Sequence, residues 1–175
     1  MLDAADPTPR HAIYRALHPL LRSLSPAQRA AALAQLQAWA GVDATARPTH
    51  RALQPGEVAA LAVGGLVEVG AHTVNHPVLA ALPPAVQRAE IVESQARLSA
   101  LTGRPVTSFS YPYGAPGDYT AETVALVREA GFTCACANFA GRVEPGVDPF
   151  ALPRFIVRDW DFATFASMLE AWFGD

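Results

Sequence analysis

The sequence predicts an α/β fold with a helical first part, and three observations carry this. From residue 66 onward, short apolar runs alternate with helix-length segments. Those helical segments end in glycine, at Gly103 and Gly131, where a left-handed residue closes a helix without a Cβ penalty. Residues 10–63, by contrast, carry helix signals alone. The β-α-β-α-β order of the second part implies parallel strands joined by right-handed crossovers, hence an open sheet or a partial barrel.

Taken in order, Arg10 to Leu24 places Ile13, Leu17, Leu20, Leu21 and Leu24 at helical spacing, with a kink expected at Pro19. Ser25-Pro26-Ala27-Gln28 then opens a second helix, the serine as N-cap, the proline at the first position and the glutamine completing a capping box. Gly41 ends it. Residues 42–53 read as a loop, and Pro55 to Ala62 as a short helix stopped by Gly64-Gly65. Leu66–Ala71 reads as the first strand, Pro84–Leu101 as a helix, Val106–Tyr111 as the second strand, Thr120–Ala130 as a helix and Phe132–Ala137 as the third strand. The whole of 1–175 is expected to form a single domain, helical over 10–63 and βαβαβ over 66–173.

With 51% hydrophobic and 17% charged residues the chain can bury one core. A net charge of −3 with scattered arginines gives no basic surface for nucleic acid. No apolar stretch approaches the roughly 18–20 residues that span a bilayer. No export signal is visible at the N-terminus, so a cytoplasmic location is expected if that start is native. Cys134 and Cys136 alternate on one face of the third strand, lack the further cysteine or histidine of a structural zinc site, and read as packed free thiols.

The chemistry is expected where strands end. His72-Thr-Val-Asn-His76-Pro77 directly follows the first strand, placing two imidazoles four residues apart in a short turn, and Pro77 disfavours a helical His76. Imidazole is the commonest metal ligand, and such a turn lets both rings reach one metal ion. Tyr111-Pro112-Tyr113-Gly114 follows the second strand, where Tyr113 could wall the same cleft and backbone N–H groups face a substrate oxygen.

Together these segments resemble the NodB-homology polysaccharide deacetylases, carbohydrate esterases that remove acetyl groups from N-acetylated sugars. Gly70-Ala-His72-Thr-Val-Asn-His76-Pro77 is similar to that family's H-[ST]-x-x-H-P metal motif, Ser108-Phe-Ser-Tyr-Pro-Tyr-Gly114 to its substrate-groove motif, and Leu152-Pro-Arg154 to a late loop of some members. The resemblance covers roughly residues 56–170. It implies a deformed (β/α) barrel, a zinc-type ion held by His72, His76 and an aspartate, a second aspartate as general base, and an oxyanion stabilised by the ion and the Tyr113 N–H. Tyr111, Pro112 and Tyr113 would line the substrate groove.

The chain departs from that pattern in three places. It has no Asp-Asp pair, it carries Ser110 where the groove motif commonly has an arginine, and it has no histidine after His76. One expectation is that the sequence begins inside the family's domain. Its first strand, Leu66–Ala71, would then be an uncovered edge open to homo-oligomer pairing. The other is a divergent site completed by Asp118, Asp159 or Asp161, with Arg154 orienting the carboxylate; Asp118, on the Tyr113 loop, is best placed, beside its plainer reading as a helix N-cap. Asp3 and Asp6 read as solvated, His11, His18 and His50 as helix-face or loop residues. Trp39 and Trp172 read as core or interface, and Trp160 as the same or as a sugar-stacking residue. The expected function is metal-dependent deacetylation of an N-acetylated glycan; the alternative is an inactive remnant or glycan-binding module of the same fold.

Overall fold

In a computed structural model, residues 8–43, 45, 49 and 51–174 are described. Asp3, Asp6 and His50 lie outside them. Contacts divide the chain into two units, 1–52 and 53–175.

The first unit contains two helices, α1 (Pro9–Arg22) and α2 (Pro26–Ala40). Each starts with proline in its first turn, where the missing N–H costs nothing. Pro19 lies inside α1. The capping box forms as expected, with Gln28 N–H donating to Ser25 Oγ and Ser25 N–H to Gln28 Oε1, and Gly41 closes α2 at φ +61°. His11 Nδ1 pairs with the Thr8 hydroxyl, and His18 packs on Tyr14. Trp39 is 86% exposed, so this unit does not bury it.

The second unit begins with α3 (Pro55–Leu61), whose N-terminal N–H at Gln54 is satisfied by Glu57. The long helix α4 (Pro84–Thr102) buries Gln87, Glu90, Ile91 and Ser94, one face at i, i+3, i+4 and i+7 spacing. β1 (Ser108–Ser110), α5 (Ala121–Glu129) and β2 (Cys134–Cys136) follow, and α6 (Phe162–Phe173) closes the chain on an Asp161 N-cap. The sequence reading had not placed α6.

β1 and β2 run parallel, pairing Ser108 with Cys134, Phe109 with Ala135 and Ser110 with Cys136. Single parallel bridges extend the order on both sides, Ala71 beside Phe109 and Leu152 beside Cys136. The expected parallel α/β arrangement is therefore present, with shorter strands. Leu66–Ala71 is corrected from a strand to one bridging residue. Only Ala71 exchanges hydrogen bonds with β1, through Ser108 O and Ser110 N, while Leu66 is 97% exposed. A backbone paired on one side alone, between Gly64-Gly65 and Gly70, has too little ladder to stay in strand geometry.

The core lies between the sheet and α4 and α5. Phe109, Ala135 and Ala71 project into it and meet Ile91, Val106, Val127 and Phe132. Fully burying a side chain such as Ile91 or Val127 contributes about 1.5–3 kcal/mol. A buried hydrogen bond from Thr123 Oγ1 to Gln87 Oε1, 2.7 Å long, ties α5 to α4. Cys134 and Cys136 are free and half-buried on the other sheet face. Among the described residues no helix is long and apolar enough to cross a membrane.

Candidate active site

The carboxyl ends of these parallel tracks meet in an open cleft of about 460 Å3, lined by His72, His76, Ser110, Tyr111, Tyr113, Asn138 and Arg154. Both sequence-predicted histidines are there, one residue and five residues beyond the Ala71 bridge. Their ring centroids are 4.7 Å apart at 71°. His72 Nδ1 lies 2.7 Å from Ser110 O, and a carbonyl can only accept. Nδ1 therefore carries the proton and Nε2 the lone pair, the tautomer that metal-ligating imidazoles adopt when a carbonyl holds their other nitrogen.

The spacing of the two ring centres fits a shared divalent ion. An ion about 2 Å from each ring nitrogen, viewed at a tetrahedral angle, sets two imidazole centres roughly 5 Å apart. The fit is that of a two-ligand half-site, because among the described residues no third histidine, cysteine, aspartate or glutamate joins them.

Backbone geometry concentrates its cost at this cleft. Thr73, His76 and Tyr113 are the non-glycine residues with positive φ among those described, at 65°, 52° and 61°. Such conformations persist where surrounding contacts over-determine them. The His76 N–H donates to Thr73 Oγ1 within the turn, and the Tyr113 ring sits edge-on to His76 at 4.7 Å. Gly114, at φ +69°, allows a close approach that no other residue would, since a Cβ there would lie 3.0 Å from both Asn138 N and Tyr111 O. Asn138 N–H donates to Gly114 O, joining the ends of β1 and β2.

The other predicted residues divide between support and distance. Tyr111 is buried, stacks on Tyr119 at 4.0 Å and donates its hydroxyl to Phe150 O. Burial first, then the neighbouring Tyr119, pushes its phenol well above the usual tyrosine range, so it remains a neutral donor. Pro112 is fully buried and shapes the loop. Arg154 reaches the cleft edge with Nε donating to Ala137 O. Asp118 is not among the lining residues. It is buried and accepts from Ala115 N–H within its own turn, while Thr120 caps α5 in place of Asp118. Trp160 packs on Trp172, which stacks on Phe155, and Asp161 caps α6; neither Trp160, Asp159 nor Asp161 lines the cleft.

Sequence reasoning missed Asn138 and Glu90. Asn138 could have been found as the polar residue just past the third strand's carboxyl end. Glu90 gives no local signal, being one charge on a helix of mixed composition.

Solved structures with the same fold include a polysaccharide deacetylase from Bacillus cereus, 22% identical, covering 69% of this chain and 37% of the other at a TM-score of 0.57. A candidate polysaccharide deacetylase from Bacillus anthracis is 21% identical, covering 67% and 37%, with a TM-score of 0.59. A de-N-acetylase from Aggregatibacter actinomycetemcomitans is 16% identical, covering 67% and 53%, at 0.56. The chain thus spans roughly a third to a half of these proteins. No curated protein matches it significantly. The family model described as polysaccharide deacetylase matches residues 17–135, which include the two-histidine turn and the Tyr-Pro-Tyr-Gly loop, and the chain belongs to that family.

Proposed function

We propose that this chain serves metal-dependent deacetylation of N-acetylated sugars in a glycan, hydrolysing the acetamide C–N bond. The observation that carries the reading is the His72–His76 pair, with the His72 tautomer fixed by Ser110 O and both residues lining an open cleft. His72 and His76 would hold the ion, zinc given two nitrogen donors. When bound, such an ion polarises a carbonyl and acidifies water. The chain's own groups supply the rest. Tyr113 walls the sugar site and orients its N–H toward the developing oxyanion. Arg154 stands at the rim, where its guanidinium can bind a sugar hydroxyl or orient a carboxylate.

The parallel order from Ala71 through β1 and β2 to Leu152 is, in this reading, a stretch of a (β/α) barrel wall. Its next strand would pair along residues 66–71, where Leu66 and Val67 stand exposed.

No carboxylate lines the cleft among the described residues. A water nucleophile needs a proton acceptor within hydrogen-bond reach, and loss of a general base typically costs about 10²–10⁴-fold. The 175-residue chain is therefore expected to bind zinc through its two histidines yet turn over N-acetylglucosamine oligomers slowly. Zinc titration of the wild type beside His72→Ala and His76→Ala, with acetate release measured on the same samples, tests this. Equal zinc affinity in all three proteins would remove the metal reading. Full enzymatic turnover that survives both substitutions would remove the site.

A further inference from the structure

The turn between the two imidazoles is held from behind by a carboxylate that lies outside the cleft. Glu90, 7% exposed on the buried face of α4, accepts through Oε2 from the Val74 and Asn75 N–H groups, both at 2.9 Å. Through Oε1 it accepts from Asn75 Nδ2 at 2.7 Å. All three donors come from the segment between His72 and His76. A buried carboxylate is costly unless its oxygens are satisfied, and among the described residues no arginine or histidine forms an ion pair with this one. The turn is thus its counterpart, and the turn's own strain, at Thr73 and His76, needs such compensation.

We infer that Glu90 is a positioning residue for the metal centre: by clamping Val74 and Asn75 it sets the separation and tilt of His72 and His76. The inference rests on the reading of those histidines as ligands. It adds a residue, one helix away, that no metal-ligand spacing in the sequence marks. The clamp works through backbone N–H groups, so at position 74 it requires a residue that has one, which excludes proline. The side-chain contribution is confined to Asn75.

Cobalt(II) titration, followed by the visible absorption of the bound ion, provides the test on the full chain. Glu90→Gln preserves shape but removes the charge and one acceptor. It should weaken cobalt binding by about 10–100-fold and alter the absorption envelope, as loss of a ligand-orienting group does. Asn75→Ala, which deletes one bond at an exposed position, should produce a smaller loss in the same direction and guards against Glu90→Gln failing to fold. Gln87→Ala is the control. It breaks the bonds to Leu82 O and, in the core, to Thr123, and should lower thermal stability without changing cobalt affinity. Hydrogen exchange of the Val74 and Asn75 amides in metal-free protein reads the clamp directly, and should accelerate in Glu90→Gln but not in Gln87→Ala.

Equal affinity losses in Glu90→Gln and Gln87→Ala would mean general loosening and would overturn the inference. So would unchanged exchange at Val74 and Asn75 in Glu90→Gln. Failure of the wild type to bind cobalt would instead sink the ligand reading, while the exchange result would still decide the clamp.

Discussion

Replacing Tyr113 by alanine and, separately, by glycine should reverse the usual stability order of those two residues. At φ +61° the Tyr113 backbone lies in the left-handed region, which costs an L-residue with a Cβ roughly 1–2 kcal/mol. Both substitutions delete the ring that meets His76 edge-on at 4.7 Å, a contact of about 0.5–1.5 kcal/mol. Only glycine also removes the Cβ. Against this stands glycine's greater loss of chain entropy, about 0.5–1 kcal/mol relative to alanine. The relief should exceed that loss, leaving Tyr113→Gly more stable than Tyr113→Ala by about 0.5–1 kcal/mol.

Urea unfolding resolves such a difference when the two variants share one m-value. On the proposed function, both should show the same weakened affinity for N-acetylated sugars, because the Tyr113 ring at the cleft is gone in each. If alanine proves as stable as glycine, or more so, position 113 stores no left-handed strain. The loop is then not held in an uncommon conformation for the sake of the cleft.

Two further substitutions test the surroundings. The Asp148 carboxyl is held below the usual carboxylate range first by the Phe150 N–H and then by the Arg128 guanidinium, against a desolvation penalty. A lowered folded-state pKa stabilises above the ordinary value near ~3.9 and is lost as pH falls through the lower one. Asp148→Asn should therefore cost at most about 0.5–1 kcal/mol at neutral pH, given its exposed pair, and progressively less as acid protonates the carboxyl; a pH-independent difference in melting would contradict this. Ser110 Oγ is buried with no hydrogen-bond partner among the described residues, so Ser110→Ala should be neutral or stabilising by up to about 1 kcal/mol; a clear loss in thermal melts would show that the hydroxyl is satisfied.

How much of this was legible in the sequence depends on whether the signal was local. Helix starts were legible, because Ser25-Pro26-Ala27-Gln28 and Thr120 to Thr123 satisfy their own N–H groups within four residues. The glycine stops at Gly41, Gly103 and Gly131 were legible for the same reason. The histidine turn could be found because ligand spacing and Pro77 fix it locally. Strand length was not legible. Leu66–Ala71 has a strand's composition, but a strand needs neighbours, and only Ala71 finds one. The buried face of α4 was also hidden, since three of its four buried residues, Gln87, Glu90 and Ser94, are polar and read as surface until their partners are known. Asp118 shows the limit of sequence proximity: a carboxylate near the cleft loop in sequence accepts from its own turn and is not among the lining residues.

The two faces of the sheet explain why the site stands where it does. Ala71, Phe109 and Ala135 face the helices and are at most 2% exposed, so they fix the sheet against α4 and α5. The opposite face carries Gly70, Ser108, Ser110, Cys134 and Cys136, all small. That smallness permits close approach: a Cβ at position 70 would fall 2.8 Å from Ser108 Oγ. With Gly70 drawn onto β1, the chain leaves the Ala71 bridge directly beside the end of β1, which brings His72 Nδ1 to Ser110 O. The same end delivers Tyr113 two residues beyond the buried Tyr111. A larger residue at position 70 would crowd the Ser108 hydroxyl first, which can rotate away, while the Ser108 carbonyl oxygen at 3.4 Å stays at ordinary contact distance. The small face of the sheet thus lets the histidine turn lie against β1, and of its residues Ser110 lines the cleft.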